Sequence, residues 1–168
     1  MKTAIYPGSF DPVTMGHLDI IERASRIFDM VIVLVAGNSG KSPLFSPEER
    51  VNMLRVVCRK LKNVKIDAFD GLLVDYALKF PGCVIVKGMR AISDFEHEFQ
   101  MALINNSLRP ELDTLFLTTS HRYQFLSSSV VREVGWLGGD ISEFVPPAVM
   151  EQILDRLRER GGQNAGQC

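Results

Sequence analysis

Three segments of this 168-residue chain gather residues able to handle phosphate. The first is YPGSFDPVTMGHLDII, Tyr6 to Ile21. Pro7, Gly8, Pro12 and Gly16 make it an unusual turn, which delivers Gly16-His17 to the start of a helical pattern. Free N–H groups and the dipole at a helix start favour anions, and a donor imidazole there suits phosphate oxygens. Gly16 carries no Cβ to keep a ligand from the backbone. A lone histidine at a helix start is otherwise a cap or a surface residue; Thr14, Gly16 and the strand-to-helix setting favour the ligand reading. The second segment is VKGMRA, Val86 to Ala91, where Lys87, Gly88 and Arg90 put two cations and a flexible backbone after an apolar strand. Arginine offers a planar fork to phosphate, lysine a point charge. The plain alternative is two solvated charges beside a turn. The third is QFLSSSVVRE, Gln124 to Glu133. Its three serines before an apolar run read either as a helix cap or as a phosphate cradle.

Other candidates carry less. Gly40-Lys41-Ser42 matches the end of the GxxxxGK[ST] phosphate loop, but Val35 stands where its first glycine belongs, and Pro43 removes an N–H from the helix it needs. Lys41 can still reach a ligand from its loop. No GxGxxG is present, so a dinucleotide site lacks its fingerprint. His97 and His121 lack metal-ligand company; His97 reads as a solvated helical residue. Glu98, four residues after Asp94, faces either the sheet end or solvent. Trp136 and the phenylalanines are expected in the core.

The elements that must position these residues follow from hydrophobic period. Strands are expected at Thr3–Tyr6, Met30–Ala36, Val64–Phe69, Cys83–Lys87 and Thr114–Thr118. Helices are expected at His17–Phe28, Ser46–Leu61, Leu72–Phe80, Ser93–Leu108, Ser128–Leu137 and Pro147–Arg160. Ser46, Pro47 and Glu49 form a capping-box start. Strand and helix alternating in this way imply an α/β fold: one Rossmann-like, doubly wound, five-stranded parallel sheet with helices on both faces. Residues 1–160 then form one domain, and 161–168 (GGQNAGQC) a disordered tail. Ligands of such sheets bind at the carboxyl ends of the strands, which is where all three segments fall.

Composition sets the outer limits. Hydrophobic residues are 46% and charged residues 23%, with 19 Lys+Arg against 20 Asp+Glu, a net charge of −1. A coat for nucleic acid or anionic membrane wants a basic excess, so neither partner is expected. No apolar run approaches the ~20 residues of a membrane span. The opening MKTAIYPGSF lacks the apolar core of a secretory signal. Cys58, Cys83 and Cys168 show no CxxC spacing and read as reduced thiols of a cytoplasmic protein.

Two motifs in order suggest a family. TMGH (Thr14 to His17) and SSSVVR (Ser127 to Arg132) resemble the paired (H/T)xGH and SSTxxR-type signatures of the nucleotidylyltransferase superfamily. YPGSFDP, GKSPLF, VKGMRAISDFEHE and RPELDTLFL stand in register with them. Together they narrow the resemblance to the bacterial phosphopantetheine adenylyltransferases, from about Thr3 to Leu157. That family has a Rossmann-like fold and transfers AMP from ATP to 4′-phosphopantetheine. Its products are dephospho-coenzyme A and pyrophosphate, in the penultimate step of coenzyme A biosynthesis.

Carried onto this chain, the resemblance implies three catalytic residues, His17, Lys41 and Arg90. ATP would meet Ser9, Phe10, His17, Gly88, Met89, Arg90, Glu98, Tyr123, Gln124, Phe125, Leu126, Ser127, Ser128 and Ser129. Phosphopantetheine would meet Ser9, Lys41, Leu73 and Lys87. It also implies Mg²⁺ carried on the nucleotide with no protein metal ligands, a homohexamer, and coenzyme A as a feedback inhibitor. This chain departs from the family at Ser9, often Thr there, and at Lys87, often Arg. A sister enzyme acting on another phosphorylated acceptor, such as nicotinamide mononucleotide, is the nearest alternative; the loops Asn38–Phe45 and Asp70–Val74 would decide. A non-catalytic nucleotide sensor is the alternative from another class, disfavoured by the conjunction of His17, Lys41 and Arg90.

Overall fold

The computed structural model describes residues 1–37, 43–90 and 92–164. In chain order it has β1 (Thr3–Gly8), α1 (Met15–Ile27), β2 (Met30–Ala36), α2 (Pro47–Cys58), β3 (Val64–Phe69), α3 (Leu73–Ala77), β4 (Val84–Met89), α4 (Ile92–Leu108), β5 (Thr114–Thr118), α5 (Ser128–Trp136) and α6 (Met150–Asn164). Short 3₁₀ turns at His121–Tyr123 and Pro147–Val149 precede the last two helices. β2, β3 and β5 begin and end where the hydrophobic runs place them. α6 runs four residues beyond Arg160, into the segment expected to be tail. A helical glycine costs about 1 kcal/mol relative to alanine, a penalty that does not forbid the extra turn. The expected disorder of 165–168 lies outside the described residues.

All strand pairs are parallel, in the order β3-β2-β1-β4-β5. The order reverses between β1 and β4, the switch point at which such sheets open a ligand crevice. The pairing explains the opening. β1 and β4 are paired only at Ala4–Val84 and Ile5–Ile85, whereas β1–β2 continues to Gly8–Val35 and β4–β5 to Met89–Thr118. Beyond Ile5 the central strands part, and Pro7 has no N–H with which to bridge them.

Side chains alternate across the sheet, as the period of two requires. Ala4, Tyr6, Val31, Val33, Val35 and Val86 face a core completed by α1, α2, α5 and α6. Ile5, Ile32, Leu34 and Ile85 face a smaller core under α3. Cys58 and Cys83 are buried free thiols, and burial pushes the Cys58 thiol up to about 11. The aromatic residues correct the sequence reading. Trp136 is 47% exposed, and Phe95, Phe99 and Phe125 are exposed too. On α4 the exposed set extends to Met101, Leu103, Ile104 and Leu108, beside Leu115 of β5. A helix with apolar residues all round cannot bury every face against one sheet.

One buried carboxylate ties the loops above the sheet together. Asp11, whose bond to Pro12 is cis, is 5% exposed. Its Oδ2 accepts the Leu44 N–H and its Oδ1 the Phe45 N–H, both at 2.8 Å. Arg132 of α5 donates to Oδ2 at 3.2 Å and to the Asp11 carbonyl at 2.8 Å. From the far side, Arg156 of α6 donates to the Leu44 carbonyl, pairs with Glu49 at 2.5 Å, and lies over the Phe45 ring. Asp11→Ala would strand two amides and a guanidinium, so it should cost about 3–5 kcal/mol in urea unfolding. The exposed Asp29→Ala, measured alongside, should cost under about 1 kcal/mol.

Candidate active site

His17 is held by its own helix start. Thr14 caps α1 by accepting the His17 N–H at 3.3 Å, and the His17 ring returns the bond: Nδ1 accepts the Thr14 N–H at 3.1 Å. The Phe10 ring meets the imidazole edge-on at 5.0 Å between centroids. With Nδ1 an acceptor, a neutral ring carries its hydrogen on Nε2. Burial, assisted by the nearby Arg90 charge, lowers the His17 pKa to about 3. His17 is therefore a fixed neutral donor at neutral pH.

The crevice above the switch point divides into three chambers. The central one, about 190 Å³, is lined by Tyr6, Ser9, His17, Gly88, Arg90 and Leu126, with Lys87, Glu98 and Thr119. The largest, about 590 Å³, lies toward α3 and α4 and is lined by Ser9, Leu73, Lys87, Glu98, Met101 and Asn105 among others. The third, about 220 Å³, lies over the start of α5, among Ser127, Ser128, Ser129, Arg50, Arg90 and Arg132. Ser9 borders all three. His17 and Arg90 border the central and serine chambers; Lys87 and Glu98 border the central and large ones.

Local chemistry differs between the chambers. Lys87, its side chain 19% exposed, is paired with Glu98 at 3.0 Å where the central and large chambers meet. It is thus not a solvated strand-end charge. Arg90 donates to the Leu126 carbonyl at 2.8 Å, tying β4 to the loop before α5. Ser127 caps α5 through the Val130 N–H, Ser128 donates to the Pro12 carbonyl, and Ser129 accepts from Arg132. The cap and the cradle are the same structure: the serine hydroxyls fix the turn, and the first amides of α5 open onto three guanidiniums. Gly88 is required by packing, since a Cβ there would stand 2.9 Å from Ile20 Cγ1. A Cβ on Gly16 would make only ordinary contacts, with Thr14 and Tyr123.

Several expected residues do not line these chambers. Phe10 has no exposed surface; it sits under the turn at φ 48°, its ring packed on Tyr6 and His17. Met89 gives its carbonyl to the Thr119 N–H. Tyr123 packs beside Gly16, and Phe125 turns out against Phe144. Gln124 is exposed and likewise off the lining. Lys41 lies outside the described residues. The sequence reading passed over Arg50, which is 2% exposed. The signal was available: Arg50 shares the helical stripe of Met53, Leu54 and Cys58, all buried.

Among the described residues no three of His, Cys, Asp or Glu converge. Both Asp11 oxygens are occupied, and Glu98 faces Lys87. No described helix is long and apolar enough to cross a membrane.

Residues 5–134 match the model of the cytidylyltransferase-like family. The phosphopantetheine adenylyltransferase of Caldanaerobacter subterraneus subsp. tengcongensis is 52% identical over 159 residues, covering 95% of this chain and 99% of that protein. That of Geobacter sulfurreducens is 54% identical over 156 residues, covering 93% and 95%. Among solved structures, the Plasmodium falciparum nicotinic acid mononucleotide adenylyltransferase complexed with NaAD superimposes with a TM-score of 0.65 at 17% identity, covering 95% of each chain. At that identity the last match shows a shared fold.

The state of His17 is directly measurable. Its ring signals, followed by two-dimensional NMR, should report an Nε2–H tautomer and no titration near the ordinary 6.5, with protonation only toward about 3. Because the unfolded chain takes up this proton near 6.5 and the folded one does not, stability should fall as pH drops from about 6.5 toward 3. His17→Gln should flatten that slope.

Proposed function

The chain belongs to the phosphopantetheine adenylyltransferases of the cytidylyltransferase-like family and transfers the adenylyl group of ATP to 4′-phosphopantetheine, the penultimate step of coenzyme A biosynthesis; we propose that the three chambers divide that reaction among them. The acceptor occupies the large chamber, its arm along Leu73 and its phosphate at Lys87 and Ser9. The α-phosphate lies in the central chamber under His17. The β and γ phosphates lie over the start of α5, held by Arg90 and the amides of Ser127 to Ser129. A phosphate oxygen of the acceptor bonds to the α-phosphorus, the bond to the β-bridging oxygen breaks, and dephospho-coenzyme A and pyrophosphate result.

The observation that carries this reading is the position of His17. It borders the central and serine chambers as a neutral imidazole with Nδ1 locked to Thr14. The nucleophile is already anionic, so no base is needed, and a histidine this hard to protonate would be a poor acid. A fixed N–H donor at the oxygen where charge builds is what such a transfer requires. Lys41, outside the described residues, is the second cation assigned to the α-phosphate. Mg²⁺ carried on the nucleotide would offset part of the charge on the phosphates. We further place the enzyme in the cytoplasm as a closed homohexamer, with the exposed apolar face of α4 and Leu115 in its interfaces, and with coenzyme A as a feedback inhibitor.

Pyrophosphate release from ATP tests the acceptor. Release should need phosphopantetheine; equal release with nicotinamide mononucleotide would overturn the assignment. His17→Ala should leave ATP affinity nearly unchanged and lower kcat by about 10²–10³. Lys87→Ala should raise KM for phosphopantetheine about tenfold or more, from a charged hydrogen bond worth roughly 1.5–3 kcal/mol, with little change for ATP. Light scattering at micromolar concentration should report a mass several times the 18.8 kDa of one chain; a monomer would remove the hexamer.

A further inference from the structure

The serine chamber contains a cation that no sequence motif marks. Arg50 is 2% exposed, yet its side chain lines this chamber. Nη1 donates to the Ser9 carbonyl at 2.7 Å and makes a long contact with the Ala36 carbonyl at 3.5 Å; Nε donates to the Ser46 carbonyl at 3.4 Å. Nη2 carries two more N–H groups, for which the structure shows no acceptor among the described residues. Nor does Arg50 have a carboxylate partner there. The nearby carboxylate is Asp11, and it already takes the Leu44 and Phe45 amides and Arg132. Arg50 thus lines a chamber of about 220 Å³, beside Arg90 and Arg132, with no carboxylate of its own among the described residues. Burying a guanidinium without a counter-charge is costly, and an anion of more than one charge relieves it.

We propose that Arg50 is a pyrophosphate-binding residue: its free Nη2 face holds the terminal phosphates of ATP and, after transfer, the leaving pyrophosphate. Nη1, on the Ser9 carbonyl, keeps that face in place and ties it to the residue that borders all three chambers. Arg50 then discriminates by phosphate number. It reads ATP and pyrophosphate, and it ignores AMP, whose single phosphate ends at His17. This rests on the adenylyl-transfer reading above, and it goes beyond it by naming the residue that recognises the leaving group.

Calorimetry with ATP and with AMP, and kinetics in the reverse direction from dephospho-coenzyme A and pyrophosphate, test it on the full chain. Arg50→Gln should weaken ATP and raise KM for pyrophosphate about 10- to 100-fold, the range of a lost charged hydrogen bond, while AMP affinity changes less than about twofold. Arg50→Lys keeps the charge, but its donors sit on one nitrogen and lack the fork that spans the Ser9 carbonyl on one side and a phosphate on the other. It should fold as the wild type does and still lose about tenfold in the ratio of ATP to AMP affinity. If Arg50→Gln does not fold, this second variant decides alone. Equal loss of ATP and AMP would make Arg50 a support for the Ser9 turn and overturn the proposal, as would unchanged pyrophosphate kinetics. Failure of the underlying reading looks different: the wild type itself would not release pyrophosphate with phosphopantetheine.

Discussion

The working end of this molecule depends on how one carboxylate, Asp11, is satisfied. Its two oxygens accept the amides of Leu44 and Phe45 and meet Arg132, so three segments distant in sequence converge on it. One is the turn after β1, one leads into α2, and one begins α5. In a parallel sheet, loops at the carboxyl ends are separated by whole crossovers and have no strand ladder to align them. A buried charge with saturated partners supplies the alignment, because each missing partner would leave an uncompensated charge or amide. Arg156 completes it from the C-terminal helix, gripping Leu44 and Glu49 from outside.

Above that support the cleft separates its charges. Lys87 and Glu98 neutralise one another where the central and large chambers meet, whereas Arg50, Arg90 and Arg132 line the serine chamber. His17, neutral, stands where the two regimes meet. A protonated imidazole would add a fourth cation beside Arg90, and that charge is one of the causes holding its pKa down.

The sheet was legible because the signals that define it are local. Met30–Ala36 is apolar on both faces, Ser46 and Glu49 announce a capping box, and the structure has both. Lys87 and Arg90 could be placed at the crevice because a cation that ends a buried strand has few other places to go. What the sequence concealed are pairings across distance. Arg50 lies 41 residues from Ser9 and Asp11 33 from Leu44, and no period records such partners. Phe10 shows the converse, a side chain whose place the motif does not reveal. It lies inside the motif, but the positive φ turns its ring into the core, where it supports His17 and leaves the cleft wall to Ser9. Trp136 and the α4 aromatics misled because hydrophobicity predicts burial without saying against which surface.

The reciprocal bonds between Thr14 and His17 make the first turn of α1 its own jig. The donor's orientation is set within four consecutive residues, by the same contacts that start the helix. It therefore needs no ligand to assemble and no loop to close, and the approach of a phosphate should demand little rearrangement of the dipole that meets it. Evolution inherits the same coupling. A change that spoils the cap also misaims the imidazole, so folding and chemistry at this turn are exposed to selection as a single trait, while the large chamber around Leu73, built on other elements, is free to vary.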